Sequence, residues 1–207
     1  MKFLNRLKYA LYILKRPFDG FWCLKSEKIG TIGSAFTLLA LFFVTMVIRL
    51  YTTSYLVSTV DLIDFSIWML LGLIVGVYIL YSIANWSITT LLTGSGSFKD
   101  ILISVAYSLT PITLVNIPLA ILSQFVVNEE IAFLTFFNAV AIVYTAFLIL
   151  ASNMEIHEYT FLKSFCTVVL SIFAIVLIVV IAILFINLVQ QVWTFILSII
   201  KELSFRL

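Results

Sequence analysis

Histidine occurs once in the 207 residues, cysteine twice and proline three times, and only 11% of the chain is charged. Each scarcity closes a class of function. The lone His157 lies near no serine or cysteine nucleophile in sequence, and the apolar stretches hold no paired Asp or Glu. No catalytic constellation is legible, so the chain reads as a non-enzyme. Cys23 and Cys166 lie far apart, with no CxxC spacing and no adjacent histidine, which leaves both as packing residues and gives no support for a disulfide framework or a zinc site. No cofactor motif is present. Gly94-Ser95-Gly96 beside Lys99 offers the glycines of a phosphate-cradling loop without the Walker spacing or its closing Lys-Ser/Thr, and a turn is expected there. A net charge of +2 makes no case for nucleic acid as a partner.

What fills the chain instead is apolar surface. Hydrophobic residues make up 63% of it, against about 45–50% in a soluble domain, where about 25% of residues are charged. They come in blocks, which predicts membrane-spanning helices over about 33–56, 66–92, 101–124, 131–151 and 165–188, each long enough for roughly 30 Å of hydrocarbon. Apolar character runs on past residue 188 through Gln190-Gln191-Val192-Trp193, so residues 190–207 are expected to form a longer helix or an interfacial tail. Ahead of the spans, residues 1–30 carry Lys2, Arg6, Lys8, Lys15 and Arg16, with Phe3, Leu4, Leu7, Leu11, Leu14 and Phe18 at helical spacing. That pattern predicts a basic amphipathic helix in the headgroup plane. The fold class is all-α: a polytopic membrane protein, a bundle of five transmembrane helices with an N-terminal interfacial amphipathic helix.

Cation placement sets the expected orientation under the positive-inside rule. With the N-terminus in the cytoplasm, the inside segments hold nine Lys and Arg, Lys99 and Lys163 among them, and the outside segments hold only Lys201 and Arg206. Five crossings then place the C-terminus outside. Local chemistry fits these limits: Gly94 suits a left-handed end to the second span, Ser97 with Asp100 makes a capping box for the third, and Asn128 before Glu129 and Glu130 suits the start of the fourth.

Five features are candidates for a role in binding. Arg49 sits near the outer end of the first span, where an ion pair with Asp61 or Asp64 competes with the favoured reading, snorkelling to the headgroups beside Tyr51 and Tyr55. Gly72 and Gly76 form a GxxxG spacing, read as an internal helix contact before a dimer face. Asn85 and Trp86 close the second span, Trp as an interfacial anchor and Asn as a bond across helices. Ser104, Tyr107, Ser108, Pro111 and Pro118 fall on one face of the third span; this kinked polar stripe is read as packing, with a transport groove as the rival. Glu155, His157 and Glu158 supply metal-ligand types, but without the spacing of a metal motif a solvated loop is expected.

Several stretches together resemble the Yip1 family, in its bacterial branch: Pro17-Phe18-Asp19-Gly20-Phe21-Trp22, then Asn85-Trp86, Gly94-Ser95-Gly96-Ser97-Phe98-Lys99-Asp100, and Ala106-Tyr107-Ser108-Leu109-Thr110-Pro111, in that order. The resemblance implies a five-helix integral membrane protein with a cytoplasmic N-terminus. Eukaryotic relatives bind prenylated Rab GTPases and one another in vesicle traffic. This chain has an N-terminal segment of only about 30 residues and lacks their Asp-Leu-Tyr-Gly-Pro pattern, which puts Rab-type GTPase binding in doubt. The expectation is a non-enzymatic membrane-protein-binding or membrane-organising factor in a bacterial plasma membrane, its partners being lipids and other membrane proteins or itself. Small-molecule or lipid translocation through the third span is the alternative.

Overall fold

The computed structural model describes residues 3–54 and 66–204. Eight α-helices lie among them: α1 (Phe3–Lys15), α2 (Pro17–Ser26), α3 (Ile32–Thr52), α4 (Ile67–Leu91), α5 (Phe98–Ser108), α6 (Thr110–Leu122), α7 (Ile131–His157) and α8 (Phe161–Ser204). Five helical stretches are long and apolar enough to cross a membrane, α5 and α6 together making one of them. The helix starts follow local chemistry. A capping box joins Thr31 to Ser34 at the head of α3, and another joins Ser97 to Asp100 at the head of α5, each satisfying amides that have no partner inside the helix.

The third crossing is interrupted where the sequence removes an amide. Pro111 cannot donate to the carbonyl of Tyr107, four residues back, and the Thr110 hydroxyl donates to that carbonyl at 2.6 Å instead. Helix α5 ends at Ser108 and α6 starts at Thr110. The α5–α6 crossing is the centre of the bundle: Ile101, Ile103, Val105, Ala106 and Tyr107 are buried, with α3, α4 and α7 packed around α5 and α6 against α3 and α7.

The N-terminal segment departs from the single amphipathic helix predicted for it. Pro17 starts a new helix after Arg16, and α1 and α2 fold back on each other at Gly20, where a β-carbon would lie 2.8 Å from Ile13 Cγ1. Only glycine admits that approach. Ala10, Ile13 and Phe21 are buried, while Leu11 and Phe18, on the apolar face expected at the headgroup plane, are exposed on the protein surface. The Tyr107 hydroxyl donates to the Arg6 carbonyl at 3.0 Å and the Tyr144 hydroxyl to that of Leu14, so α1 is tied to the bundle through its own backbone.

One further expectation changes. The left-handed residue ending α4 is Thr93 (φ 57°) and not Gly94, while the Gly94 amide donates back to the Thr89 carbonyl at 2.8 Å. Past residue 188 the chain takes the longer-helix course of the two expected: α8 is continuous for 44 residues. Its buried positions are Ser164, Thr167 and Ser171, one stripe at helical spacing against α4 and α7,. Beyond Ser171 no residue of α8 with a described side chain is buried, and the helix leaves the bundle.

Candidate functional site: an interlocked joint and a clamped arginine

The joint between α4 and α5 is built on the end of α7. Asn85 is fully buried and donates to Asn153 Oδ1 at 3.2 Å, the bond across helices expected of it. Trp86 is half-exposed and meets Phe98 edge to face, with centroids 5.8 Å apart. The loop after α4 presses its glycines onto α7: a β-carbon on Gly94 would lie 2.5 Å from His157 Nδ1, and one on Gly96 would lie 2.4 Å from Ile156 Cγ2. The chain turns at Leu92 and Thr93, just ahead of the Gly94-Ser95-Gly96 stretch where a turn was expected, and the two glycines serve close packing. No phosphate is needed to account for them.

His157 overturns the solvated-loop reading. It is 2% exposed. Its Nδ1 accepts the Gly96 amide at 3.3 Å, which makes it a neutral imidazole with the proton on Nε2. Nε2 is buried and has no hydrogen-bond partner among the described residues. The ring stacks on Tyr159, with centroids 5.4 Å apart. Among the described residues no cluster of His, Cys, Asp and Glu is placed to hold a metal ion.

Three side chains of the α7–α8 turn complete the lock. Tyr159 Oη lies 3.1 Å from the carbonyl of Leu92 and 3.3 Å from that of Thr89, its one proton shared between them, and Lys163 Nζ donates to the Leu92 carbonyl at 2.9 Å while lying 4.0 Å from the Tyr159 ring centroid. They satisfy the Leu92 carbonyl that the end of α4 leaves open, and the cation meets the negative end of the helix dipole,. Lys25 of α2 bridges Ser95 Oγ and Glu158 Oε1, each at 2.8 Å. That bond holds the exposed Glu158 carboxyl below the usual carboxylate range. Lys99 and Asp100 border a cavity of about 350 Å³, shared with Lys25 and Lys28.

The polar stripe of the third crossing is packed shut. Ser104, Tyr107, Ser108 and Pro111 are buried, whereas Pro118, expected on the same face, is exposed. Ser104 and Ser108 donate to carbonyls of their own helix, and Tyr107 reaches Ser34 Oγ as well as the Arg6 carbonyl. Helix α4 differs in the other direction. Among the described residues, Gly72 and Gly76 meet nothing within 4 Å of where a β-carbon would stand, so no described helix makes the internal contact expected of them, and they lie in a surface stripe with Met69, Ile79, Ile83 and Trp86,.

Of the cations named from sequence, Lys8, Lys15, Arg16 and Lys99 are exposed, Arg6 is partly buried beside Thr31, and Lys2 lies outside the described residues. Arg49 turns into the bundle instead of snorkelling: Nη1 donates to Asn116 Oδ1 at 3.0 Å and to Asn138 Oδ1 at 2.8 Å. Asp61, Asp64 and Tyr55 lie outside the described residues. Sequence reasoning missed Asn116, Asn138, Lys25 and Tyr159. Asn116 and Asn138 carried a signal, since an amide inside an apolar span is expected to find a polar partner.

Such an arrangement defines an all-α integral membrane protein whose helices cross the bilayer and whose buried polar groups fix the helices to one another, at the joint and at the Arg49 clamp. The Yip1 domain matches residues 11–184, and the chain belongs to the Yip1 family, a non-catalytic membrane family. No curated protein and no solved structure matches the chain.

Proposed function

We propose that the protein binds other membrane proteins, or a second copy of itself, and organises them laterally in a bacterial plasma membrane. The observation that carries this reading is the Gly72/Gly76 spacing of α4, where a β-carbon on either glycine would meet no described atom within 4 Å outside the local helix backbone. In a bilayer, small residues at this spacing let a second helix approach closely. On the proposed cytoplasmic face stand the exposed Lys8, Lys15 and Arg16 of the N-terminal helices and Lys99 of the joint, which attract anionic lipids or an acidic partner. The N-terminus lies in the cytoplasm and the C-terminus outside. Translocation through the third crossing is the weaker reading, because its stripe is filled by bonds within the protein.

The test is crosslinking in native membranes, mild-detergent purification and mass spectrometry, repeated with Gly72→Leu/Gly76→Leu and with Lys8→Glu/Lys15→Glu/Arg16→Glu. The reading requires a reproducible stoichiometric partner that the Leu pair displaces and the charge reversal weakens. Recovery of the chain alone with enriched lipid, unchanged in both variants, refutes it.

A further inference from the structure

Arg49 is a cation drawn into a membrane bundle and held by groups that cannot neutralise it. Its guanidinium offers five donors and no acceptor. Nη1 takes the two amide oxygens, Asn116 from α6 and Asn138 from α7, and both are uncharged. Asn116 is fully buried, and its own amide donates to Thr45 Oγ1 at 3.3 Å. The clamp thus joins α3, α6 and α7 and sets the direction of the guanidinium. No described residue accepts from Nε or Nη2 of Arg49 or from Nδ2 of Asn138. Beside them lies a cavity of about 150 Å³, lined by Arg49, Thr53, Ser123, Thr135 and Asn138 with Leu119 and Leu134, and no described carboxylate borders it.

Depth adds a further constraint. Arg49 stands one turn before the end of α3 at Thr52, at the end of the bundle opposite the joint, so the cavity opens where hydrocarbon gives way to headgroups. A charge at this depth is costly unless it is paired, and a planar fork of donors matches an oxyanion better than a neutral group.

The geometry points to an oxyanion site of the phosphate type at Arg49, supplied either by a phospholipid headgroup or by free phosphate. It stands apart from the lateral binding proposed above and uses none of the same residues.

The experiment uses the purified full chain, delipidated in detergent. Binding of phosphatidylglycerol and of diacylglycerol, which lacks the phosphate, is titrated by native mass spectrometry, and thermal unfolding is followed with inorganic phosphate. The variants are Arg49→Gln, which removes the charge, and Thr135→Phe, which fills the cavity while leaving the Arg49 clamp in place, so that a folding defect in the first does not decide the matter. The expected result is one phosphatidylglycerol bound at least tenfold more tightly by the native chain than by either variant, with diacylglycerol binding alike in all three. Stabilisation by inorganic phosphate in the native chain only, without a lipid difference, assigns the same site to the free anion. Equal behaviour of all three chains toward both phosphate sources overturns the site. So does a difference that emerges only after Asp61→Asn/Asp64→Asn, since the chain's own carboxylates then neutralise the guanidinium.

Discussion

Two glycine-to-alanine changes in this chain should act with opposite signs. At Gly96 a methyl group would sit 2.4 Å from Ile156 Cγ2 and 2.8 Å from His157 Cε1, well inside ordinary van der Waals contact. His157 cannot retreat easily, because its ring is stacked on Tyr159 and its Nδ1 is bonded to the Gly96 amide. Overpacking of this kind costs about 1–3 kcal/mol, and at about 2–4 °C per kcal/mol for a chain of this size Gly96→Ala should lower the unfolding midpoint by roughly 2–12 °C. At Gly72 the same methyl group meets open space on a helical backbone. There the loss of glycine's unfolded-state freedom dominates, and Gly72→Ala should stabilise the monomer by about 0.5–1 kcal/mol. The assay is thermal unfolding of monodisperse monomer in mild detergent, followed by tryptophan fluorescence. A native-like midpoint for Gly96→Ala, or a lower one for Gly72→Ala, would refute the packing described for the joint and for the α4 strip.

Two more expectations concern the same end of the bundle. Asn85→Leu alone leaves Asn153 buried and short of its partner, which costs about 1–3 kcal/mol, whereas Asn85→Leu/Asn153→Leu should recover much of that loss; a double-mutant cycle in detergent checks it, and additive losses would argue against the 3.2 Å bond. Glu158 is held below the usual carboxylate range by Lys25, so the Lys25–Glu158 contribution is fully present above the unfolded carboxylate value of about 4.3 and is lost as pH falls through the lower folded value. The midpoint difference between the native chain and Glu158→Gln should hold steady from neutral pH down to about 5 and close below that; a difference that grows on acidification would reverse the assigned sign.

The spans were legible because apolar length is a property of the chain itself. The capping box at Ser97 and Asp100 and the break around Pro111 were legible for the same reason, since each depends on residues within one turn. What local pattern could not give was which partner lies opposite. Gly94 and Gly96 read as a turn, yet their reason is His157, some 60 residues later. Gly72 and Gly76 read as an internal contact, but spacing does not say which helix, if any, comes near. The wheel of α1 gave one apolar face for the headgroup plane, but nothing local showed that the break before Pro17 would fold α2 back and bury Ala10 and Ile13. Arg49 was visible as an anomaly, and only the convergence of three helices placed Asn116 and Asn138 beside it.

The length of α8 bears on how the protein and its bilayer set each other's thickness. At 1.5 Å per residue its 44 residues extend about 66 Å, roughly twice the hydrocarbon depth; a straight rod would need a tilt near 60° to hide along its whole length, beyond the roughly 0–40° that membrane helices adopt. The remaining crossings are 21 to 27 residues long, about 32–40 Å, which tilts of up to about 40° accommodate. Hydrophobic mismatch therefore falls on α8 alone, past Ser171, where no described side chain is buried. A thicker or thinner membrane shifts its boundary along that free length without repacking the bundle, so the fold is tuned to bilayer thickness by four crossings and indifferent to it in the fifth.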